Sequence, residues 1–264
     1  MSRLVNVGPD LYNSLDISVN VAKEAALSIP PDIDRSVTTD LGRDVKVKAD
    51  TYLNKIIIER LTEKSPYPVL SEEEDFSKNR LTGNGYLWIV DPLDGSLNFS
   101  RSIPLCCISI ALWKEMEPLI GVVYDFNRDE MFTGMVGEGA WLNGKQINIS
   151  NIEDKNNAIL CTGFPVNTDF SDKALLDFVR DVQSYKKIRL LGSAALSLAY
   201  VASGRADIYH EKDIAIWDVA AGIAIVKASG GNVQFNPSKD ENRLIVKAAN
   251  NLLLSANSQK EDIL

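Results

Sequence analysis

Apolar and polar positions along the first quarter of the chain predict two amphipathic helices with a loop and a strand between them. Over about residues 10–28, apolar side chains recur every three or four positions, which is the period of one helix face. A second helix is predicted over about residues 50–64, with Asp50 at its N-cap. Residues 32–43 show no period and predict a mobile loop, whereas residues 44–48 alternate like a half-exposed strand.

The middle of the chain predicts a sheet. Residues 68–70 and the apolar run 88–90 are typical of strands, and Asn143-Gly144 between short apolar flanks is a strong hairpin signal. Further strand-like segments cover residues 106–112, 119–124 and 130–135. With helices placed before these strands, the pattern favours an N-terminal α+β half that is built on a largely antiparallel sheet.

From about residue 151 the pattern changes to an alternation of strands and helices. The predicted strands cover residues 158–162, 187–191, 206–209, 233–235 and 244–249, and the predicted helices cover residues 172–185, 193–203 and 217–228. The fold class is therefore mixed α/β. We predict an N-terminal α+β subdomain over residues 1–150 and a smaller C-terminal α/β subdomain over residues 151–264.

Composition excludes several classes of protein. The chain has 264 residues, of which 45% are hydrophobic and 24% charged, as in ordinary globular proteins. Its net charge of −8 argues against general nucleic-acid binding. No apolar run approaches the length of a membrane span, and the N-terminus lacks the features of a signal peptide. Three cysteines form neither a disulfide framework nor a zinc pattern, so we expect a reduced, cytoplasmic compartment.

The segment after the apolar run 88–90 is the strongest candidate for chemistry. Asp91-Pro92 should end the strand, because proline has no N–H to donate to a sheet. Asp94 follows three positions after Asp91, and Gly95 permits a tight turn or close approach to a ligand. Two acids and free backbone N–H groups at one point are typical of a site for divalent cations and phosphate. The alternative is a solvated loop, because Asp-Pro and Asp-Gly are ordinary turn dipeptides.

Other acids also stand at the ends of predicted elements. The full set is Asp50, Glu72, Asp91, Asp94 and Asp218. Buried acids need partners, and no cluster of lysines or arginines lies near these positions in the sequence. Hard divalent cations, which prefer carboxylate oxygens, are the alternative partner. The single histidine, His210, argues against a histidine-built zinc or iron centre.

Four motifs in register carry a family resemblance. Residues 91–99 match the pattern Asp-Pro-x-Asp-Gly-Thr-x-Asn-Phe, with Ser96 in place of the threonine. Residues 71–73 resemble Gly-Glu-Glu, residues 217–222 match Trp-Asp-Val-Ala-x-Gly, and Asp50 matches an early acid that begins a helix. From about residue 11 to residue 250 the chain resembles the inositol monophosphatase family of metal-dependent, lithium-sensitive sugar phosphatases. The resemblance implies a layered αβαβα sandwich.

The resemblance also implies a ligand set for two to three Mg²⁺ ions. Glu72, Asp91 and the Leu93 carbonyl would hold one ion, and Asp91, Asp94 and Asp218 would hold the second. A third ion would bind more weakly, with Glu72 as a ligand.

The same resemblance implies roles in catalysis and substrate binding. Asp50 and the Ser96 hydroxyl, with Glu72, would orient and activate a metal-bound water, and the backbone N–H groups of Gly95 and Ser96 would cradle the phosphate. The positions that match substrate contacts are Asp94, Gly95, Ser96, Gly192, Ser193, Ala194, Glu211 and Asp218. Serine at position 96 keeps the hydroxyl and loses a methyl group that restricts the rotamer.

These observations predict a magnesium-dependent phosphomonoesterase of small phosphorylated polyols or sugars, with inositol monophosphate first among them. The reaction would be an in-line attack of a metal-activated water on phosphorus, without a phosphoenzyme. Asn98 and its neighbours favour the inositol-type branch, but fructose bisphosphate, histidinol phosphate and phosphoadenosine phosphate stay open as substrates. A non-catalytic binding protein on the same fold is the remaining alternative. The family resemblance also implies a homodimer.

Overall fold

The computed structural model describes residues 10–41, 44–74, 85–238, 240 and 242–255. The helices are α1 (Leu11–Leu27), α2 (Lys48–Lys64), α3 (Ser96–Ser100), α4 (Asp172–Val182), α5 (Ala194–Ala202) and α6 (Ile216–Ala228). The strands are β1 (Val37–Leu41), β2 (Asp44–Val47), β3 (Val69–Ser71), β4 (Tyr86–Asp94), β5 (Cys107–Lys114), β6 (Glu117–Asp125), β7 (Glu130–Met135), β8 (Gly139–Leu142), β9 (Lys145–Ile147), β10 (Ile159–Cys161), β11 (Lys187–Arg189), β12 (Ile208–Ala215), β13 (Asn232–Pro237) and β14 (Arg243–Ala249). None of the described helices is both long enough and apolar enough to cross a membrane.

Strands β3 to β9 form one seven-stranded sheet in sequence order. Strand β3 runs parallel to β4, and every later neighbour in this sheet is antiparallel. Leu142 pairs with Lys145 across the last hairpin, and the two residues between them, Asn143 and Gly144, have φ values of 49° and 78°. Positive φ at both positions is the geometry of the tight hairpin that Asn-Gly favours. The predicted antiparallel sheet and its hairpin are therefore confirmed.

A second sheet of five strands has the order β11-β10-β12-β14-β13. Strand β10 is parallel to both β11 and β12, whereas β14 is antiparallel to its two neighbours. Helices alternate with the parallel strands along the chain, which is the pattern that the second half of the sequence predicts. The mixed α/β class is thus confirmed.

Alternating side chains of β4 show how the layers stack. Trp88 and Val90 pack in a core with α1 and α2, whereas Leu87 and Ile89 belong to a second core with α5, α6 and the five-stranded sheet. A third apolar cluster covers the far face of the five-stranded sheet, with a helical turn at residues 251–255. The layers therefore follow the expected αβαβα order. The second core contains residues from both sheets, so it crosses the predicted boundary between the subdomains 1–150 and 151–264. That boundary stays a prediction.

Helix α6 lies directly on the seven-stranded sheet because glycines face it. A Cβ atom at Gly121 of β6 would lie 2.1 Å from the carbonyl oxygen of Ala221, and one at Gly134 of β7 would lie 2.7 Å from the Cα of Ile225. Close backbone approach is a role that glycine fills without steric conflict. This contact carries the first turn of α6, with Asp218, onto the sheet that bears Asp91.

Two local predictions in the first quarter of the chain were wrong. Strand β1 lies within the predicted loop and pairs with β2, while residues 42 and 43 are outside the described residues. The β1 side chains are exposed wherever they are described, so no buried face left a period in the sequence. Helix α2 begins at Lys48, so Asp50 is not its N-cap but its third residue, and Asp50 Oδ2 accepts a hydrogen bond from the Val47 N–H at 2.6 Å.

Candidate active site

The two acids of the central motif lie on an irregular end of β4. Asp91 pairs with Ser109 and Asp94 pairs with Cys107, so the three-residue step on β4 faces a two-residue step on β5. This extra residue is a β-bulge, in which Pro92 need not donate to the ladder. The predicted end of the strand at Asp91 was therefore wrong, because the bulge lets β4 continue to Asp94.

Three of the predicted metal ligands converge at this point. One carboxylate oxygen from each of Glu72, Asp91 and Asp218 lies within 4.8 Å of the others. Glu72 directly follows β3, where its N–H donates to the Val90 carbonyl at 3.3 Å. Asp218 arrives from the first turn of α6. Three distant parts of the chain thus supply hard oxygen ligands to one small volume, and such a donor set fits Mg²⁺.

The electrostatics of this cluster agree with a cation site. Burial, and then the charges of Glu72, Asp94 and Asp218, raise the pKa of Asp91 well above its usual range. Burial and the neighbouring acids also raise the pKa of Asp218 well above its usual range. Asp91 is 1% exposed, so water screens its charge poorly. A bound divalent cation would offset this repulsion and favour the ionised carboxylates.

Asp94 lies beside the cluster and is anchored by the start of α5. Its Oδ2 accepts hydrogen bonds from the Ser193 hydroxyl at 2.6 Å and from the Ala195 N–H at 2.7 Å. The Cys107 thiol lies 3.9 Å from the same oxygen. Burial raises the pKa of Asp94 to about 6, and the hydrogen bonds from Ser193 and Ala195 oppose that rise.

Asp50 and Ser96 form a second polar group, which lies against the Leu93 carbonyl. The Ser96 Oγ lies 2.6 Å from Asp50 Oδ1 and 2.9 Å from the Leu93 carbonyl oxygen. Burial raises the pKa of Asp50 to about 6, against the opposing hydrogen bonds from Ser96 and Val47. The Ser96 hydroxyl therefore lies between Asp50, which is the predicted base, and the Leu93 carbonyl, which the family resemblance assigns to a cation.

The turn after Asp94 is tied to the loop before α5. Gly95 has a φ of 91°, and a Cβ atom there would lie 2.7 Å from the Leu105 carbonyl oxygen. The Asn98 amide donates to the carbonyls of Leu105 and Leu191, at 2.8 Å each. Gly192, with a φ of 69°, lies directly against this amide. Sequence reasoning gave Asn98 no structural role, because its partner Leu191 is 93 residues away and leaves no local signal.

Glu211 lies on β12 in the other half of the chain. Burial, followed by the charge of Asp94, raises the pKa of Glu211 to about 8. Gly163 packs against it so closely that an added Cβ would lie 2.6 Å from Glu211 Oε1. The charge of Asp94 therefore acts on the Glu211 carboxyl group from the other half of the chain. Gly163 was missed at the level of sequence, where Thr162-Gly163-Phe164 resembles an ordinary loop.

The raised pKa of Glu211 predicts how the stability of the metal-free protein depends on pH. Between its ordinary pKa of 4.5 and the folded value of about 8, the folded protein retains a proton that the unfolded chain releases. The free energy of unfolding should therefore fall as the pH rises through this range. We expect the melting temperature in chelator to be higher near about pH 5 than near about pH 8. Glu211→Gln should flatten the upper part of this decline, and an unaltered slope in that variant would contradict the assignment.

Known proteins resemble the chain over most of its length. A family model described as the Inositol monophosphatase family matches residues 11–262. Inositol monophosphatase 3 of Solanum lycopersicum is 36% identical over 240 residues, which cover 86% of this chain and 87% of that protein. Nus factor SuhB of Xylella fastidiosa is 41% identical over 192 residues, or 72% of this chain and 68% of that protein. The solved inositol monophosphatase from Anabaena (Nostoc) superposes with a TM-score of 0.81 at 31% identity, covering 95% and 96% of the two chains.

Proposed function

Because the chain belongs to the inositol monophosphatase family, a family of phosphatases, we propose that it hydrolyses a phosphate monoester of a small polyol or sugar with Mg²⁺ as cofactor. Inositol monophosphate is the first candidate substrate. The observation that carries this proposal is the convergence of Glu72, Asp91 and Asp218 within 4.8 Å. The pair formed by Asp50 and Ser96 adds a base and a hydroxyl at the same place.

The proposed cation ligands are those that the family resemblance implies, and three of them form the observed acidic cluster. One Mg²⁺ would be held by Glu72, Asp91 and the Leu93 carbonyl. A second would be held by Asp91, Asp94 and Asp218. A third would bind at Glu72. When bound, such ions offset the charge of the phosphate, lower the pKa of water and stabilise the entering and leaving oxygens. Asp91, which is buried on an interior strand of the seven-stranded sheet, would serve both main ions.

The proton transfer falls to Asp50 and Ser96. With its Oγ 2.6 Å from Asp50 Oδ1, the Ser96 hydroxyl would orient the attacking water, and Asp50 would receive the proton. A pKa of about 6 suits a base that works near neutral pH. Glu72 would assist in activating the water.

Substrate binding would use groups from both halves of the chain. The backbone N–H groups of Gly95 and Ser96 would bind the phosphate oxygens. The positions that the family resemblance assigns to polyol contacts are Asp94, Gly192, Ser193, Ala194, Glu211 and Asp218. Because Gly163 packs on Glu211, it would help to set the position of that carboxyl group.

Substitution of Ser96 tests the proposed proton path. Ser96→Ala should lower kcat by about 10²-fold or more, because general acid–base groups contribute at least that much. Ser96→Thr keeps the hydroxyl and should retain most of the turnover. The measurement is kcat at saturating Mg²⁺ and substrate. An inactive threonine variant that is folded, or a fully active alanine variant, would show that the hydroxyl has a different role.

The proposed activity is tested by phosphate release from a panel of substrates. The panel contains inositol monophosphate, fructose bisphosphate, histidinol phosphate and phosphoadenosine phosphate, each with and without Mg²⁺ and with added Li⁺. We expect Mg²⁺-dependent release that Li⁺ inhibits, with inositol monophosphate the best substrate. Release from none of these compounds would favour a non-catalytic binding protein.

We further propose a homodimer and a cytoplasmic location. Leu97, Ile103 and Leu190 are 53%, 44% and 57% exposed, and the contacts of Asn98 bring their chain segments together. A second copy would cover these apolar side chains. Light scattering of the purified protein should therefore give twice the chain mass, whereas a monomer at assay concentrations would contradict the proposal. The three cysteines are buried and free, as in a reduced compartment.

A further inference from the structure

We infer that Ser193 positions Asp94 for cation binding, rather than contacting the substrate with its hydroxyl. This inference deepens the proposed function and rests on it, because it concerns Asp94 as a ligand of the second cation. The family resemblance assigns position 193 to the polyol. The hydrogen bonds of the side chain favour the carboxylate instead.

The Ser193 hydroxyl already has partners within the protein. Ser193 is 4% exposed, and its single hydroxyl proton is donated to Asp94 Oδ2 at 2.6 Å. The same oxygen atom accepts a hydrogen bond from the Leu196 N–H at 3.2 Å, as the N-cap of α5. A hydroxyl has one proton to donate, so none remains for a polyol while this bond is present.

The start of α5 selects which oxygen of Asp94 can meet a cation. Both the Ser193 hydroxyl and the Ala195 N–H donate to Oδ2, and the N-terminus of a nine-residue helix favours a negative charge there. Because these donors occupy Oδ2, the arrangement favours Oδ1 as the oxygen that would bind a cation. Groups that orient a metal ligand in this way typically change metal affinity when they are removed.

The same helix also fixes the distance to Asp218. Helix α5 packs tightly on α6, where a Cβ atom at Gly222 would lie 2.4 Å from the Leu198 Cβ. Asp218 lies one turn before Gly222 on α6. Asp94 is hydrogen-bonded to α5 and Asp218 is carried by α6, so the α5–α6 contact sets the spacing of these two ligands. Ser193 is the side chain that joins Asp94 to this pair of helices.

Three substitutions separate positioning of Asp94 from capping of the helix. Ser193→Ala and Ser193→Gly both remove the hydroxyl, but glycine is much the better N-cap, whereas Ser193→Thr keeps a hydroxyl. The probe is Mn²⁺, titrated by isothermal calorimetry into the metal-free protein without substrate. We expect the alanine and glycine variants to lose Mn²⁺ affinity about 10- to 100-fold to the same extent, with recovery in the threonine variant. The KM for inositol monophosphate at saturating Mg²⁺ is measured in parallel, to show whether the hydroxyl acts on the substrate instead.

Two results would overturn the inference. Unchanged Mn²⁺ affinity together with a raised KM would assign the hydroxyl to the substrate. A loss of affinity that follows the melting temperature, and is therefore larger for alanine than for glycine, would reduce its role to helix capping. A parent protein that binds Mn²⁺ but releases no phosphate would reject the proposed function, while the Mn²⁺ titrations would still decide the role of Ser193.

Discussion

Asp91→Asn should lower kcat by about 10³-fold or more and also raise the melting temperature of the metal-free protein. Asp91 is the carboxylate that both main cations would share, and losing several kcal/mol of transition-state stabilisation corresponds to such a factor. Without metal, burial raises the pKa of this carboxylate, and the charges of Glu72, Asp94 and Asp218 raise it further. Its ionisation therefore costs stability as the pH rises above the unfolded value, and a neutral amide removes this cost.

The two effects are measured as kcat at saturating Mg²⁺ and as melting temperature in chelator. Mg²⁺ should raise the melting temperature of the parent and have little effect on the variant. Asp125→Asn is a matched control, because Asp125 is equally buried but is paired with Arg128 at 2.6 Å. That control should lose stability and keep its turnover. If Asp91→Asn retained turnover, or were less stable than the parent without metal, the shared-ligand assignment would fail.

Gly121→Ala should destabilise the fold and reduce activity together. The added Cβ would lie 2.1 Å from the Ala221 carbonyl, so strand β6 and helix α6 must move apart. Because the added Cβ would meet the backbone of Ala221 and not a flexible side chain, we expect a loss of about 3 kcal/mol or more in the free energy of unfolding. Asp218 lies one turn before Ala221 on α6, so a shift of the helix moves this ligand away from Asp91.

Chemical denaturation and kcat measure the two consequences of Gly121→Ala. The control is Gly85→Ala, where no described atom lies within 4 Å of the added Cβ. That variant should behave like the parent in both measurements. Parental stability and turnover in Gly121→Ala would show that the site does not depend on the close contact between α6 and the sheet.

Local patterns of the sequence predicted most of the elements. The helical period of α1 and the Asn-Gly hairpin were sufficient because each depends on neighbouring residues. The convergence of Asp91 and Asp218 could be expected only from the matched motifs, since no local period joins positions so far apart. The sequence therefore predicted which acids belong together, and the fold supplies their geometry.

The errors have physical reasons that local patterns do not contain. A bulge carries β4 past Pro92, although proline normally ends a central strand. Asp50 bonds back to the Val47 N–H from the third helical position, which its residue type does not distinguish from an N-cap. Ser193 and Asp94 are 99 residues apart in the chain. Their contact depends on the core that α5 and α6 share with the seven-stranded and five-stranded sheets.

The acids around Asp91 are proposed to bind the cations that are used in catalysis. The most direct test is a crystal structure at saturating Mn²⁺, with the ions located by anomalous scattering. We expect at least two peaks, with carboxylate oxygens of Glu72, Asp91 and Asp218 as ligands, and Asp94 bound through Oδ1. The absence of any peak at these carboxylates, in crystals soaked at a Mn²⁺ concentration that supports full activity, would contradict the claim.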